Sequence, residues 1–476
     1  MRKRVGMMVL LAGAGVWAGA QGLPPARPNQ PPPVQLPLPG VTQADMAGGV
    51  PSGKLSAQPV ELSLEMAIAR GLRQNLAPLV SQDANQQAKA QKMTQLAALL
   101  PSVDASAGEL RQKLNLAAFG FSFPGFPSIV GPFNVFQASA AAHVPLFNLS
   151  ALASTRAASS IESAAKDDVQ SVRNLVVLAV ANQYLLSVAD QSRVQAAQAE
   201  LTTADSALQQ AEDMLKAGTV DKLVVVRAQV QRDQQQQQLT AQQNALAKQR
   251  LQLARAIGLP LQQKFVLTST TPFATLVPPA PDAAVAEALA TRPDYRAAEA
   301  VVRSAQLLEA SAKMSRVPSV ALDGNYGTIG HELDSNHPIF SAGVTISVPV
   351  FAGGELAAER VRAVAQWRDA QAREADLKAA IGVQVRSALL DMESQHQQVG
   401  VGQHAQELAH QELTLAQDRF RAGVADNLEV VQAQQVVAVA DENYIAALYG
   451  YNLAKATLAE ALGVAASQVA QYLPMH

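Results

Sequence analysis

The chain writes one pattern twice. "KAGTVDKLVVVRAQV", Lys216–Val230, returns at Arg421 as "RAGVADNLEVVQAQQ": a basic residue, Ala-Gly, an Asp, then a Leu/Val run leading to Ala-Gln. "FQASAAAHVPLF" (Phe136–Phe147) returns as "FSAGVTISVPVF" (Phe340–Phe351), and "ARAIGLP" around Gly258 as "AEALGVA" around Gly463. The separations Gly218–Gly423, Phe147–Phe351 and Gly258–Gly463 agree to one residue. That constancy, kept through two changes of pattern, points to a duplicated architectural unit rather than a chance likeness of helices. Upstream, Pro101 pairs with Pro318 at a larger separation, so each copy holds one loop of variable length between its prolines.

Each copy changes period along its length. Phe340, Ala342, Val344, Ile346, Val348 and Val350 alternate with small or polar residues, the period-two signature of a half-buried strand. The copy at 136–147 shows the same alternation diluted by Ala. Partner strands follow Pro101 and Pro318, giving hairpins over about 102–147 and 319–351. Helical spacing then takes over. Residues 146–259 and 350–473 contain no proline, as long helices require. Ile381, Val385, Ala388 and Met392 step by the same intervals as Val177, Ala181, Tyr184 and Val188, the seam positions of coiled helices. Gly382, Gly400 and Gly402 predict a weaker or bent stretch in the second long helix. Gly218 and Gly423 fall where each long helix must reverse, with Asp221 and Asp426 placed to cap the shorter return helices.

Composition narrows what such a chain does. Only 16% of residues are charged while 49% are hydrophobic, and aromatics are scarce. This suits close helical seams better than a thick core. The net charge of −2 and the lack of a basic stripe point away from nucleic acid. Arg2-Lys3-Arg4, an apolar run and Ala18-Gly19-Ala20 read as a secretory signal over 1–20. Prolines crowd residues 21–60 and predict an extended leader. The chain has no cysteine, which excludes disulfides and thiolate metal sites. No apolar run predicts a second membrane helix, so entry into a membrane must be as strands. His396, His404 and His410 lack the spacing that sets two imidazoles on one metal, and Gly353-Gly354 opens no phosphate loop. His331 and His337, with Glu332 and Asp334, offer at most an adventitious metal contact. No catalysis and no cofactor are expected. The Gln234–Gln238 run reads as a polar helix face, and the Phe-rich loop 119–136 as a rim anchor or a narrowing of a mouth.

Strand counting implies an oligomer. Two hairpins give four strands per chain, which cannot close alone, and open edges in lipid leave backbone groups unpaired. Eight strands would be filled by their own side chains. Three chains, giving twelve strands, are the smallest set that leaves a clear passage. A non-conducting coiled-coil scaffold is the alternative, but it leaves the alternating strands unexplained.

With these features in order, the sequence from about Leu62 to Gly463 resembles the TolC-type outer-membrane efflux channels. The resemblance rests on the paired Ala-Gly turns, the "VPLF" and "VPVFAGG" segments, and the opening helices "LSLEMAIARGLRQNLAPL" (62–79) and "AVAEALATRPDYRAAEA" (284–300). It implies an α+β membrane protein: a homotrimer with a twelve-stranded β-barrel in outer-membrane lipid, continuous with a long α-helical coiled-coil tunnel in the periplasm. Its halves would be repeat 1 (61–281) and repeat 2 (282–466), with a tail at 467–476. The implied partners are a periplasmic adaptor and an inner-membrane pump, of an efflux or type I secretion system. Ala217, Gly218, Thr219 and Ala422, Gly423, Val424 would be the adaptor-facing tips. Leu428 and Glu429 would narrow the tunnel, with Gln432 where relatives often carry a second acid, and Arg227 opposite it as a possible partner of Glu429.

Overall fold

The computed structural model describes residues 43–120, 128–268, 274–332, 334–422, 424–425 and 427–473. The signal segment, most of the Pro-rich leader, Gly423, Asp426 and the centre of the Phe-rich loop (121–127) lie outside the described residues. The chain begins with α1 (Gln43–Ala47), β1 (Val60–Leu62), α2 (Leu64–Gln74) and α3 (Leu76–Ala97). A hairpin of β2 (Ser102–Asn115) and β3 (Ile129–Phe147) leads to α4 (Leu149–Lys216) and α5 (Lys222–Ala256). After β4 (Phe265–Leu267) the order recurs as α6 (Pro281–Thr291), α7 (Pro293–Met314), β5 (Ser319–Gly330), β6 (His337–Ser347), α8 (Glu355–Arg421) and α9 (Asn427–Ala461). α10 (Ala465–Tyr472) follows. The long helices hold 68 and 67 residues and both return helices hold 35. At a rise of 1.5 Å per residue, each long helix runs roughly 100 Å.

The predicted seams are buried. Ile381, Val385, Ala388 and Met392 are at most 3% exposed; Val177, Ala181, Tyr184 and Val188 at most 7%. They join Leu253, Ile257, Leu458 and Leu462 in the largest apolar cluster, where the long helices meet the β1–β4 ribbon and the short helices. α4 holds a stretch apolar enough to cross a membrane, yet 61% of it is buried inside the protein. It packs against α3, α5, α7 and α9.

α8 is a single helix through Gly382, Gly400 and Gly402. A Cβ on Gly402 would stand 3.4 Å from Tyr444 Cα, so this glycine sits where α9 comes close. That packing offsets the roughly 1 kcal/mol a helical glycine costs. β6 ends at Ser347, short of Phe351, because Ser347 pairs with Ser319, the first residue of β5, and Pro349 has no N–H to extend the ladder. The leader is not wholly extended: α1 occupies its proline-free window between Pro39 and Pro51.

The opening helices, read as continuous, are each broken. Asn75 leaves the helical conformation, caps α3 by accepting from Ala77 N (3.0 Å), and donates to Met46 O (2.7 Å) and Ala256 O (3.0 Å). Arg292 breaks the second pair and donates to Ala461 O (3.1 Å) and Gln384 Oε1 (2.9 Å). In both halves, then, a buried polar side chain at the break satisfies a carbonyl at the end of the return helix, one of those an α-helix leaves unpaired. Pro293 signals the second break in sequence; nothing comparable marks Asn75.

The four hairpin strands make one antiparallel sheet in the order β2-β3-β5-β6, leaving β2 and β6 as open edges. Its register sorts side chains onto two faces. One row across the sheet reads Ala105, Ala140, Tyr326, Phe340; the next on that face reads Val103, Ala142, Gly324, Ala342. The opposite face carries the row Asp104, Ala141, Asn325, Ser341 and the row Ser102, His143, Asp323, Gly343. The apolar face is bare: Phe340 is 82% exposed, Tyr326 68%, Ile346 66% and Val344 62%.

Candidate functional site

The sequence singles out the two helical tips, and the structure brings them together. At the first, Gly218 takes a left-handed φ of 69°, and Thr219 N donates to Met214 O (2.9 Å), the six-to-one bond of a Schellman end. At the second, Val424 N donates to Arg419 O (3.0 Å) in the same pattern. Ala217, Gly218, Thr219, Ala422 and Val424 are all exposed. Asp221 stands at the N-cap of α5, but its side chain makes no capping bond, contrary to expectation; Thr219 Oγ1 instead donates to Met214 O (2.9 Å). Phe420, Ala416, Val430 and Ala433 form a buried cluster at the tips, against which Met214 and Val224 of the first hairpin pack. Phe420, at the centre of this joint, carries no periodic signal strong enough to be singled out in sequence.

Of the residues assigned to a narrowing, Leu428 is 48% exposed and Gln432 is exposed. The two lie one turn apart on α9, away from the buried Val430 and Ala433. Glu429 is half-exposed and takes Arg419 Nε at 3.1 Å, so within one chain its cation comes from the end of α8. Arg227 is exposed on α5 and makes no ion pair among the described residues. The Arg419–Glu429 bridge closes the turn between α8 and α9, a contact that spacing within either helix could not reveal.

Higher up, α4, α5 and α9 line an open cavity of about 620 Å³ that presents Asp190, Arg193, Glu200, Asp441 and Glu442 and several glutamines of α5. Gln234, Gln235 and Gln238 of the glutamine run form part of this lining, as a polar helix face. Arg193 bridges Asp190 (2.8 Å) and Glu442 (2.8 Å), tying α4 to α9. Asp441 accepts from Gln406 Nε2 (2.9 Å) and lies 3.2 Å from His410 Nε2. Burial, and then the neighbouring Asp441, push the Glu200 carboxyl up to about 7.

A two-faced, edge-open sheet continuous with coiled helices of this length defines a channel of the TolC type in the outer membrane. The chain belongs to the outer membrane efflux protein family, whose model matches residues 72–259 and 284–464; it is a channel-family protein and not an enzyme. It is similar to the pyoverdine export outer membrane protein OpmQ of Pseudomonas putida, 28% identical over 283 residues, spanning 57% of this chain and 58% of that protein. To OpmQ of Pseudomonas aeruginosa it is 27% identical over 362 residues, spanning 75% of each. Its fold is similar to that of the outer membrane protein VceC of Vibrio cholerae, with a TM-score of 0.73 at 18% identity, covering 84% of this chain and 96% of VceC. The Campylobacter jejuni CmeC outer membrane channel gives the same score and identity, covering 90% and 94%.

Proposed function

We propose that three copies of this chain close into one twelve-stranded barrel whose lumen runs on into a periplasmic helical tunnel. The trimer serves as the passive exit duct of a tripartite efflux or type I secretion system. The observation that carries this reading is the sheet: strands of 11 to 19 residues, in the half nearest the helices apolar on one face and polar on the other, with both edges unpaired; further out, Glu109 and Arg111 of β2 fall on the apolar side. Such a sheet satisfies its backbone in lipid only by closing with sister copies. A second observation agrees. Val383, Leu390, Val401, Leu408 and Leu415 of α8, each at least 50% exposed, recur at intervals of seven or eleven and so form one stripe. A stripe of that kind suits a helix of the neighbouring subunit.

In this reading Ala217–Thr219 and Ala422–Val424 are the surfaces offered to a periplasmic adaptor and, through it, an inner-membrane pump. Leu428 and Glu429 narrow the tunnel, with Gln432 and Arg227 beside them. Pyoverdine, the cargo in the relatives' names, is the first substrate to assay. The test is direct: purified protein is examined for a heat-modifiable trimer, for intersubunit crosslinks between Ser106→Cys on β2 and Ser341→Cys on β6, and for conductance in planar bilayers. A monomer without channel activity would end this proposal.

A further inference from the structure

The polar face of the sheet carries charge of one sign. Its alternating positions on β2, β3, β5 and β6 include Asp104 and Asp323 but no lysine or arginine among the described residues. Asp323 is held from both neighbouring strands. His143 stands directly opposite it in the register, with Nδ1 at 2.7 Å from Oδ1. Thr345 Oγ1, from β6, donates to Oδ2 at 2.8 Å. A carboxylate only accepts, so the imidazole donates from Nδ1 and both Asp323 oxygens are engaged as those of an anion. The side chains of His143 and Asp323 nevertheless remain 52% and 48% exposed, so the charge faces open space rather than protein. The pair lies four residues from each end that joins the helices, Phe147 of β3 and Ser319 of β5, or roughly 13 Å up the strands.

We propose that Asp323, positioned by His143 and Thr345, is a charge filter in the barrel wall that favours cations and cationic groups over anions during passage. The inference rests on the trimeric conduit, in which three such carboxylates share one level of the lumen. Asp104, two residues along the strand direction and two strands away, adds a second acidic position close to that level. Fixed charges of one sign in a narrow water-filled passage raise the local concentration of the opposite sign. The other groups facing the pair from neighbouring strands are Ser102 and Asp104 on β2, Asn325 on β5, and Gly343 and Thr345 on β6, and only Asp104 among them is acidic.

The test is the reversal potential of the reconstituted wild-type trimer and variants under a KCl gradient. The wild type is expected to prefer K⁺, Asp323→Asn to lose roughly half of that preference, and Asp323→Lys to shift toward Cl⁻. His143→Phe keeps a ring but removes the Nδ1–H that positions Asp323, and should weaken the K⁺ preference by less than Asp323→Asn does. An unchanged K⁺/Cl⁻ ratio in both Asp323 variants, with conductance intact, overturns the filter and leaves the conduit standing. A wild-type trimer with no conductance at all overturns both.

Discussion

A Cβ built on Gly218 meets no atom within 4 Å, whereas one on Gly463 would stand 2.8 Å from Arg292 Cα. Both glycines have positive φ, 69° and 76°, so alanine at either costs about 1–2 kcal/mol in backbone strain. Gly463→Ala must in addition push apart α9 and the α6–α7 break. We expect its thermal midpoint to fall further than that of Gly218→Ala, and scanning calorimetry of the two variants checks the order. Lys455 offers a second residue-scale test. It is fully buried, its Nζ 4.8 Å from the Tyr451 ring centre and 3.3 Å from Ala274 O, with no carboxylate partner among the described residues. Burial holds its ammonium down at about 8, below the ordinary 10.5. Between those values the unfolded chain binds more protons, so stability rises with pH across that window, and the cost is complete below it. Lys455→Met should be more stable than wild type at neutral pH by on the order of 2–3 kcal/mol, and the gain should shrink toward pH 10.5 in denaturant titrations.

Among the elements, the long helices are joined by polar contacts that report on pH and on the tip. Glu200, on α4, is raised to about 7 against an ordinary 4.5 by burial and by Asp441 of α9. The folded chain therefore binds more protons than the unfolded chain between those values, and stability falls as pH rises through them. Glu200→Gln should flatten that slope in a pH series of melting curves. At the tip, Arg419–Glu429 is a half-exposed pair, worth at most about 1 kcal/mol to folding, so its removal should leave the melting midpoint nearly unchanged. If Leu428 and Glu429 narrow the tunnel, the double variant Leu428→Ala/Glu429→Ala should raise single-channel conductance; a value equal to wild type would remove both from the constriction.

For the whole molecule, the proposed trimer requires that the exposed face carrying Phe340, Val344 and Ile346 meet lipid. Val344→Arg places a charge among Phe340, Ile346 and Leu322 on the apolar face, at a cost of roughly 2–4 kcal/mol near the bilayer midplane. Thr345→Arg, one residue on, points to the polar face and avoids that cost. We expect the first variant to be depleted from the outer-membrane fraction as a heat-modifiable trimer and the second to be retained there. Equal depletion of both would contradict the assignment of faces.

The repeated order of elements, the helix lengths and the alternating strands were legible in the chain itself, because period and glycine placement are local properties of the backbone. The seam residues were legible for the same reason: helical spacing alone brings Ile381 and Val385 to one side. The cavity around Glu200, the pairing of Glu429 with Arg419, the break at Asn75 and the His143–Asp323 pair were not. Each joins residues on different elements, and only the packing of those elements sets which charge meets which, since spacing along one strand or helix carries no information about the neighbour it will lie against.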